Sequence, residues 1–502
     1  MTNPLYDALF APLSGRHGPL LILQDGATLS GEAFLRLLAR QANALHELGV
    51  GKGDRIAAQV AKTPEALALY GAAVALGAVF LPLNPAYTPD EMAYFLGDAT
   101  PRVFLCDPAR QASHAPIAAR HGAILMTLDA AGAGTLSDAA AAQPDMIVPV
   151  ACGPDDLAAL LYTSGTTGRS KGAMLTQRNL LSNAQALAQL WRFTRDDVLL
   201  HALPIFHTHG LFVASNVPLL TAGAMIFLPG FEADTVLRLL PQATAMMGVP
   251  TFYTRLLSDP RLDRDLVAHV RLFVSGSAPL LAETHQAFET RTGQRILERY
   301  GMTETNMTTS NPYDGERRAG TVGFPLPGVE LRLTDGDAEV AAGEIGQIEV
   351  RGPNVFAGYW QMPEKTAEEL RPDGFFQTGD LGRLDSDGYL QIVGRQKDLI
   401  ISGGFNIYPK EVELLLDMVP GVQESAVIGL PHPDFGEAVF AVLVPQAGVD
   451  LNTDAVLSEI GGRLARFKQP KAAVVVSDLP RNTMGKVQKN VLRQTYAGWF
   501  LT

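Results

Sequence analysis

The sequence predicts an α/β protein: a large N-terminal domain of layered sheets and helices with a β-rich subdomain, followed by a small α+β C-terminal domain. Three observations carry that expectation. From Leu21 to about Val274, short β-branched runs alternate with stretches of helical periodicity. After Gly320 the texture changes to strands punctuated by turns. From about Lys397 a new mixture of helices and strands begins, and its roughly 105 residues suffice for a compact domain. The two domains are therefore expected at 1–396 and 397–502.

Taken in order, the first helix is expected near Gly31 to Leu48. Ala66 to Leu83 carries no charge over a length near that of a membrane span, but alanines, Gly71, Gly77 and Pro82 dilute it. It reads as a buried helix from about Pro64 to Leu76, followed by the core strand Ala78 to Leu81. Thr88-Pro-Asp-Glu91 opens the next helix with a capping residue, a proline at the first helical position and acidic residues in the first turn. Ala130 to Asp145 is Ala/Gly-rich and reads as a surface connection. Strands follow at Leu157 to Tyr162, Val329 to Leu333, Gly346 to Val350 and Tyr389 to Val393. In the last domain, helices are expected at Pro409 to Met418 and Asp454 to Ala465, with strands at Glu424 to Ile428, Val439 to Pro445 and Ala472 to Val476. No repeat of period 20 to 50 is visible.

Composition narrows the function. The 40 Lys and Arg against 52 Asp and Glu leave a net charge of −12, which argues against a nucleic-acid or anionic-membrane partner. Two cysteines, Cys106 and Cys152, supply neither a disulfide framework nor a metal knuckle. The first ten residues carry no basic-then-apolar pattern of a secretory signal, so a reducing, cytoplasmic location is expected.

The strand Leu157 to Tyr162 runs into Thr163-Ser-Gly-Thr-Thr-Gly-Arg-Ser-Lys-Gly172. Its glycines let backbone approach an anion, Thr163, Ser164, Thr166, Thr167 and Ser170 crowd hydroxyls into one turn, and Lys171 adds positive charge. With a strand before it and a helix expected after it, the segment reads as a polyphosphate cradle. It is not the P-loop of kinases and GTPases, whose Gly-x4-Gly-Lys-Ser/Thr spacing is absent.

That loop resembles the signature of the acyl-adenylate-forming superfamily, which includes acyl-CoA synthetases, nonribosomal adenylation domains and firefly luciferase. Its other landmarks recur in order: His201 to Gly210, Ser275-Gly-Ser-Ala-Pro279, Arg299-Tyr-Gly-Met-Thr-Glu304, Thr378-Gly-Asp380, Gly394-Arg395, Ser402-Gly-Gly404 and Pro480 to Lys486. The longer words His207 to Asn216, Glu298 to Asn306 and Asn311-Pro-Tyr-Asp-Gly315 resemble the malonyl-CoA synthetase branch. The resemblance covers nearly the whole chain. It implies ATP, Mg²⁺ and coenzyme A as cofactor and co-substrates and malonate as the acid, with methylmalonate or another short or aryl carboxylic acid as the alternative.

In such enzymes a carboxylate attacks the α-phosphorus of ATP, pyrophosphate leaves, and a thiol then displaces AMP from the acyl-adenylate. Charge is concentrated between two anions, so fixed cations and donors must do most of the stabilising. The resemblance assigns Lys486 the catalytic ammonium, Glu304 the Mg²⁺ ion and His207 a place beside the acyl tunnel, where it binds and gates. Thr163, Ser164, Gly165, Thr166, Thr167, Gly168 and Lys171 would cradle the phosphates. Gly276, Ser277, Ala278 and Pro279, with Tyr300, Gly301, Met302 and Thr303, would wall the adenine. Asp380 can accept both ribose hydroxyls, reinforced by Arg395. Lys397 falls at the hinge about which a mobile C-terminal domain rotates between the two half-reactions. Gly403 and Gly404 would border the pantetheine arm, and Lys468 and Lys471 are candidate seats for CoA phosphates. A lysine acetyltransferase acting on Lys486 is carried as a candidate partner, since acetylation would remove the charge that adenylation uses.

The residue before Tyr300 lines the acyl pocket in relatives and is commonly small or apolar; here it is Arg299. A buried guanidinium without a counter-charge is costly, so it predicts a second carboxylate on the substrate. Ser277, Arg255 and His209 are expected to join it around that group.

Overall fold

The computed structural model describes residues 2–163, 170–402, 405–482 and 485–501. The chain forms two compact units, residues 1–330 with 350–376, and residues 331–349 with 377–502. In the first unit, the six-stranded sheet runs Ile124–Thr127, Val103–Cys106, Arg55–Gln59, Val79–Pro82, Leu157–Thr163, Lys171–Thr176. The neighbouring nine-stranded sheet has the parallel core Leu272–Ser275, Ala245–Gly248, Val198–His201, Ala224–Phe227, and the strand Ile296–Met302 extends it beyond Leu272–Ser275.

Local chemistry explains the elements. Helix Pro64–Leu76 is capped by the Thr63 hydroxyl and closed by Gly77 at φ +67°, and every residue from Ala66 to Leu76 is buried. It is a core helix, and no helix among the described residues is long and apolar enough to cross a membrane. Thr88 and Glu91 close a reciprocal capping box at the start of Pro89–Ala99. Within the expected surface connection 130–145 there is a short helix, Thr135–Ala141, because Leu136 and Ala140 find buried positions; an Ala/Gly-rich composition hid two anchors.

In the second unit a five-stranded sheet includes Glu330–Asp335, Ile345–Arg351, Phe376–Leu384 and Leu390–Arg395. A second sheet pairs Val422–His432 with Gly436–Pro445 as a long hairpin, whose two faces are covered by helices Pro409–Leu416 and Thr453–Gly461 on one side and Lys489–Thr495 on the other. By compactness the five-stranded sheet groups with these C-terminal residues.

Candidate functional site

The parallel strands of the nine-stranded sheet deliver three of the sequence words to one edge. Cα pairing sets Met247 beside His201, Gly248 beside Ser275 and Ser275 beside Glu298, so the residues just past each strand meet at the carboxyl ends. Arg299 is one residue on. Its side chain is 4% exposed and lies against Gly276, where a Cβ would stand 2.3 Å from the guanidinium carbon. Glycine at 276 is what makes room for the guanidinium.

Arg299 Nε and Nη2 are buried and have no hydrogen-bond partner among the described residues. Those two nitrogens form the side of the guanidinium that presents parallel N–H donors, the geometry that matches a carboxylate. Burial, with no carboxylate to offset it, brings this group down to about 9. Facing the same region, His209 Nδ1 lies 3.1 Å from Ser277 Oγ, while His209 Nε2 is buried without a partner. Whichever atom of that pair carries the shared proton, one N–H or O–H donor is left over. Burial, and next the charge of Arg299, hold His209 neutral, and burial brings His207 down to about 4. Ser277 adopts φ +73°, a backbone conformation that costs a non-glycine residue energy. Arg255 does not join them; it is exposed on helix Pro250–Leu257, whose buried face carries Tyr253 and Leu256.

A second cluster surrounds Glu304. The carboxylate is buried, and the Tyr359 hydroxyl lies 3.1 Å from its Oε1 and 2.6 Å from Glu369 Oε2. Thr163 Oγ1 is 3.4 Å from Glu304 Oε1. Lys171 pairs with Glu369 at 3.1 Å and sits 4.0 Å from the Tyr359 ring centroid. Burial pushes the Glu304 carboxyl up. A buried carboxylate beside hydroxyl oxygens is the hard-oxygen setting that suits Mg²⁺. Tyr359 and Glu369 escaped the sequence reading. They lie far along the chain from Glu304, and their only local signals are an aromatic after Gly358 and an acidic residue ending helix Pro363–Glu369.

The phosphate-loop segment differs from expectation in its frame. Lys171–Thr176 is a strand antiparallel to Leu157–Thr163, with Thr163 opposite Lys171, and the helix Gln177–Leu190 begins only after it. The run Ala173-Met-Leu175 buries as a strand against the sheet, which the hydroxyl-rich word before it masked. Ser164, Gly165, Thr166, Thr167 and Gly168 lie outside the described residues, as do Gly403 and Gly404. Tyr300, Gly301, Met302 and Thr303 continue from Arg299 and are partly exposed, as are Ser277 and Ala278; Pro279 is exposed.

In the second unit, Asp380 and Arg395 are Cα partners across an antiparallel pair and form an ion pair at 3.0 Å, with Asp380 4% exposed. Lys486 sits on a turn in which the Asn482 side chain accepts from the Lys486 amide and Asn482 N–H donates to the Lys486 carbonyl, each at 2.9 Å. Burial, then the positive charge of Arg395, brings the ammonium down to about 8, against the pull of Asp380. Lys397 is likewise lowered by burial and Arg395. Lys489 is held by Glu413 at 2.5 Å and Arg493 by Asp398 at 2.7 Å, which fix the helix after the Lys486 turn. Lys468 is bound by both oxygens of Glu411, at 2.7 and 2.9 Å, and Lys471 lies 5.5 Å from the Phe435 ring centroid.

Residues 15–360 match the family model of the AMP-binding enzymes, and residues 411–486 that of the AMP-binding enzyme C-terminal domain. A feruloyl-CoA synthase of Amycolatopsis sp is 37% identical over 96% of this chain and 95% of its own. A malonate–CoA ligase of Arabidopsis thaliana is 35% identical over 84% of this chain and 74% of its own. The crystal structure of ATP-bound MatB from Rhodopseudomonas palustris superposes with a TM-score of 0.98 at 56% identity, covering 100% of both chains.

Proposed function

We propose, proceeding from the fact that this chain belongs to the AMP-binding enzyme family and is an AMP-forming acyl-CoA ligase, that the acid it activates is malonate. The observation that carries this reading is the pair of unpartnered, buried donors on Arg299. Leaving a guanidinium dry and unmatched costs on the order of 3–5 kcal/mol, which a distal carboxylate on the substrate removes. Malonate offers one carboxylate to that fork and keeps the other for the α-phosphorus of ATP. Ser277 and His209 add the remaining donor from their shared hydrogen bond. A monocarboxylic acid, aryl or aliphatic, forfeits the pairing, so the 37% identity to a feruloyl-CoA synthase does not favour an aromatic substrate here.

The first half-reaction follows from these residues. The free malonate oxygen attacks the α-phosphorus, the bond to the β-phosphate oxygen breaks and pyrophosphate leaves. Lys486 supplies an ammonium to the two anions as they meet, and a point charge on a flexible stem suits that encounter. Glu304 would hold a Mg²⁺ ion, which when bound neutralises phosphate charge. Asp380 accepts from the ribose hydroxyls while Arg395 holds its carboxylate, and Tyr300 offers a face to adenine. In the second half-reaction the CoA thiol, as thiolate, attacks the malonyl carbonyl and AMP departs. Lys397 is the pivot we assign to the change between the two steps, and Gly403 and Gly404 border the thiol's path. His207, neutral and partly exposed, gates the acyl end.

A panel of mono- and dicarboxylic acids scored for CoA thioester formation with ATP and Mg²⁺ tests the assignment. Malonate is expected to lead, with 2-substituted malonates following as size permits. Preference for acetate or an aromatic acid over every short diacid would overturn it.

A further inference from the structure

Lys62 lies in the turn between strand Arg55–Gln59 of the six-stranded sheet and helix Pro64–Leu76. Its side chain leaves that sheet and reaches the carboxyl ends of two strands of the other. The Nζ atom is 2.7 Å from the His201 carbonyl oxygen, 2.9 Å from the Leu203 carbonyl oxygen and 2.9 Å from His201 Nδ1. The Phe227 ring centroid is 4.3 Å away. An ammonium has three N–H donors and no acceptor, and here each meets an acceptor on the segment 201–203.

The His201 ring is fully buried, and its other nitrogen fixes its proton. Nε2 lies 2.9 Å from the Gly210 carbonyl oxygen, which can only accept, and 3.1 Å from Ser215 Oγ; with the Ser215 hydroxyl donating to that carbonyl, the arrangement that satisfies all three atoms puts the hydrogen on Nε2. Ser215 Oγ donates to the same carbonyl at 2.9 Å. In the neutral ring Nδ1 is then a lone pair, the partner a lysine donor requires. Burial and the nearby Lys62 charge both oppose a second proton on this ring.

The carbonyl so held belongs to the residue after His209. There the chain takes a wide turn in which Ala214 N–H donates to the His209 carbonyl at 2.9 Å, and it passes so close to itself that a Cβ on Gly210 would stand 1.9 Å from the Pro204 oxygen. Lys62 therefore grips the start of the segment 201–210 through two carbonyls and its end through the His201 ring. His209, at that end, faces Ser277 at 3.1 Å.

We propose that Lys62 is a positioning residue for the acid pocket, acting through the His201 imidazole and the Gly210 carbonyl to fix the segment that aims His209 at Ser277. This rests on the reading of the pocket as the malonate site, and it adds to that site a residue from the other sheet that touches no substrate.

The test is Lys62→Met in the full chain, which keeps an unbranched apolar stem and removes all three donors, assayed beside the wild type by malonate-dependent ATP–pyrophosphate exchange. The malonate KM is expected to rise about tenfold or more with the ATP KM held within about twofold. Equal movement of both, or of neither, would overturn the proposal. Should Lys62→Met not fold, His201→Gln and His201→Leu decide it: the Gln amide can still donate to the Gly210 carbonyl, so it is expected to keep more malonate affinity than Leu, and equal losses would refute the relay. Nitrogen-15 NMR of the wild type, with His201 assigned by its loss in His201→Gln, is expected to find a neutral ring protonated on Nε2; an imidazolium or a ring protonated on Nδ1 would refute it without reference to any acid. A wild type that exchanges with no short diacid would instead overturn the malonate reading, and the NMR measurement would still judge the relay.

Discussion

Arg299 and Arg395 are both arginines of the family motifs, one in each unit, and they differ in what faces them. Arg395 has Asp380 at 3.0 Å, its partner across an antiparallel strand pair. Arg299 has Gly276 beneath it and two buried N–H nitrogens without a hydrogen-bond partner among the described residues. The paired arginine orients the Asp380 carboxylate, the group we assign to the nucleotide sugar. The other carries a desolvation cost, which in the proposed reading the distal carboxylate of the acid offsets. A cation already neutralised by the protein is scaffold, whereas a buried one that no described residue neutralises is the one we assign to reading the charge of the acid.

Removing Lys486 probes the cation we assign to the first half-reaction. Lys486→Ala, and equally acetylation of Lys486, is expected to lower the first half-reaction by roughly 10² to 10³-fold or more, read by malonate-dependent ATP–pyrophosphate exchange; unchanged exchange would remove Lys486 from the mechanism. Its proton gives a second reading. Because the folded group loses its proton near pH 8, well below the ordinary lysine value of 10.5, exchange is expected to fall as pH rises through about 8. The stability sign is opposite. Between about 8 and 10.5 the unfolded chain binds the proton and the folded one does not, so resistance to denaturant gains from this group across that window.

Arg299→Ala breaks the comparison directly. It is expected to lower kcat/KM for malonate by about 10² to 10³-fold while the ATP KM stays within about twofold, and to narrow the preference for malonate over acetate. Arg395→Ala should do the reverse, raising the ATP KM by about tenfold with malonate discrimination intact. Steady-state kinetics with each substrate varied separates the two, and equal effects on both substrates in both variants would abolish the distinction.

How much of this was legible in the sequence follows the same division. Helix Pro64–Leu76 and the capped helix at Thr88 were readable because caps and breakers lie within a few residues of what they control. Motif words singled out Arg299, Glu304, Asp380 and Lys486, and a charge at a position commonly small or apolar in relatives gave Arg299 its expected role. Long-range partners were out of reach: Tyr359 and Glu369 around Glu304, Glu413 holding Lys489, and Glu411 closing on Lys468 join residues that no periodicity links. The strand Lys171–Thr176 was hidden for a different reason, since composition at a Gly/Thr-rich loop says nothing about what the chain pairs with next. Arg255 failed by rotation about the helix axis, its neighbours Tyr253 and Leu256 having taken the buried face.

Ser277 sharpens the comparison at its finest scale, because there the pocket holds strain as well as an unmet charge. At φ +73° a serine costs about 1 kcal/mol more than a glycine would, and its hydroxyl shares a hydrogen bond with His209 Nδ1 that glycine cannot make. Ser277→Gly should therefore stabilise the fold, by about 1–2 °C in melting temperature, and lower kcat/KM for malonate by about tenfold as the hydroxyl that fixes the His209 ring and its proton is lost. Ser277→Ala separates the causes: it keeps the strained backbone and deletes the hydroxyl, so it should lose the activity without gaining the stability. A glycine variant that is both more stable and fully active would mean that this hydroxyl takes no part in reading the acid, and that Arg299 alone supplies the selectivity.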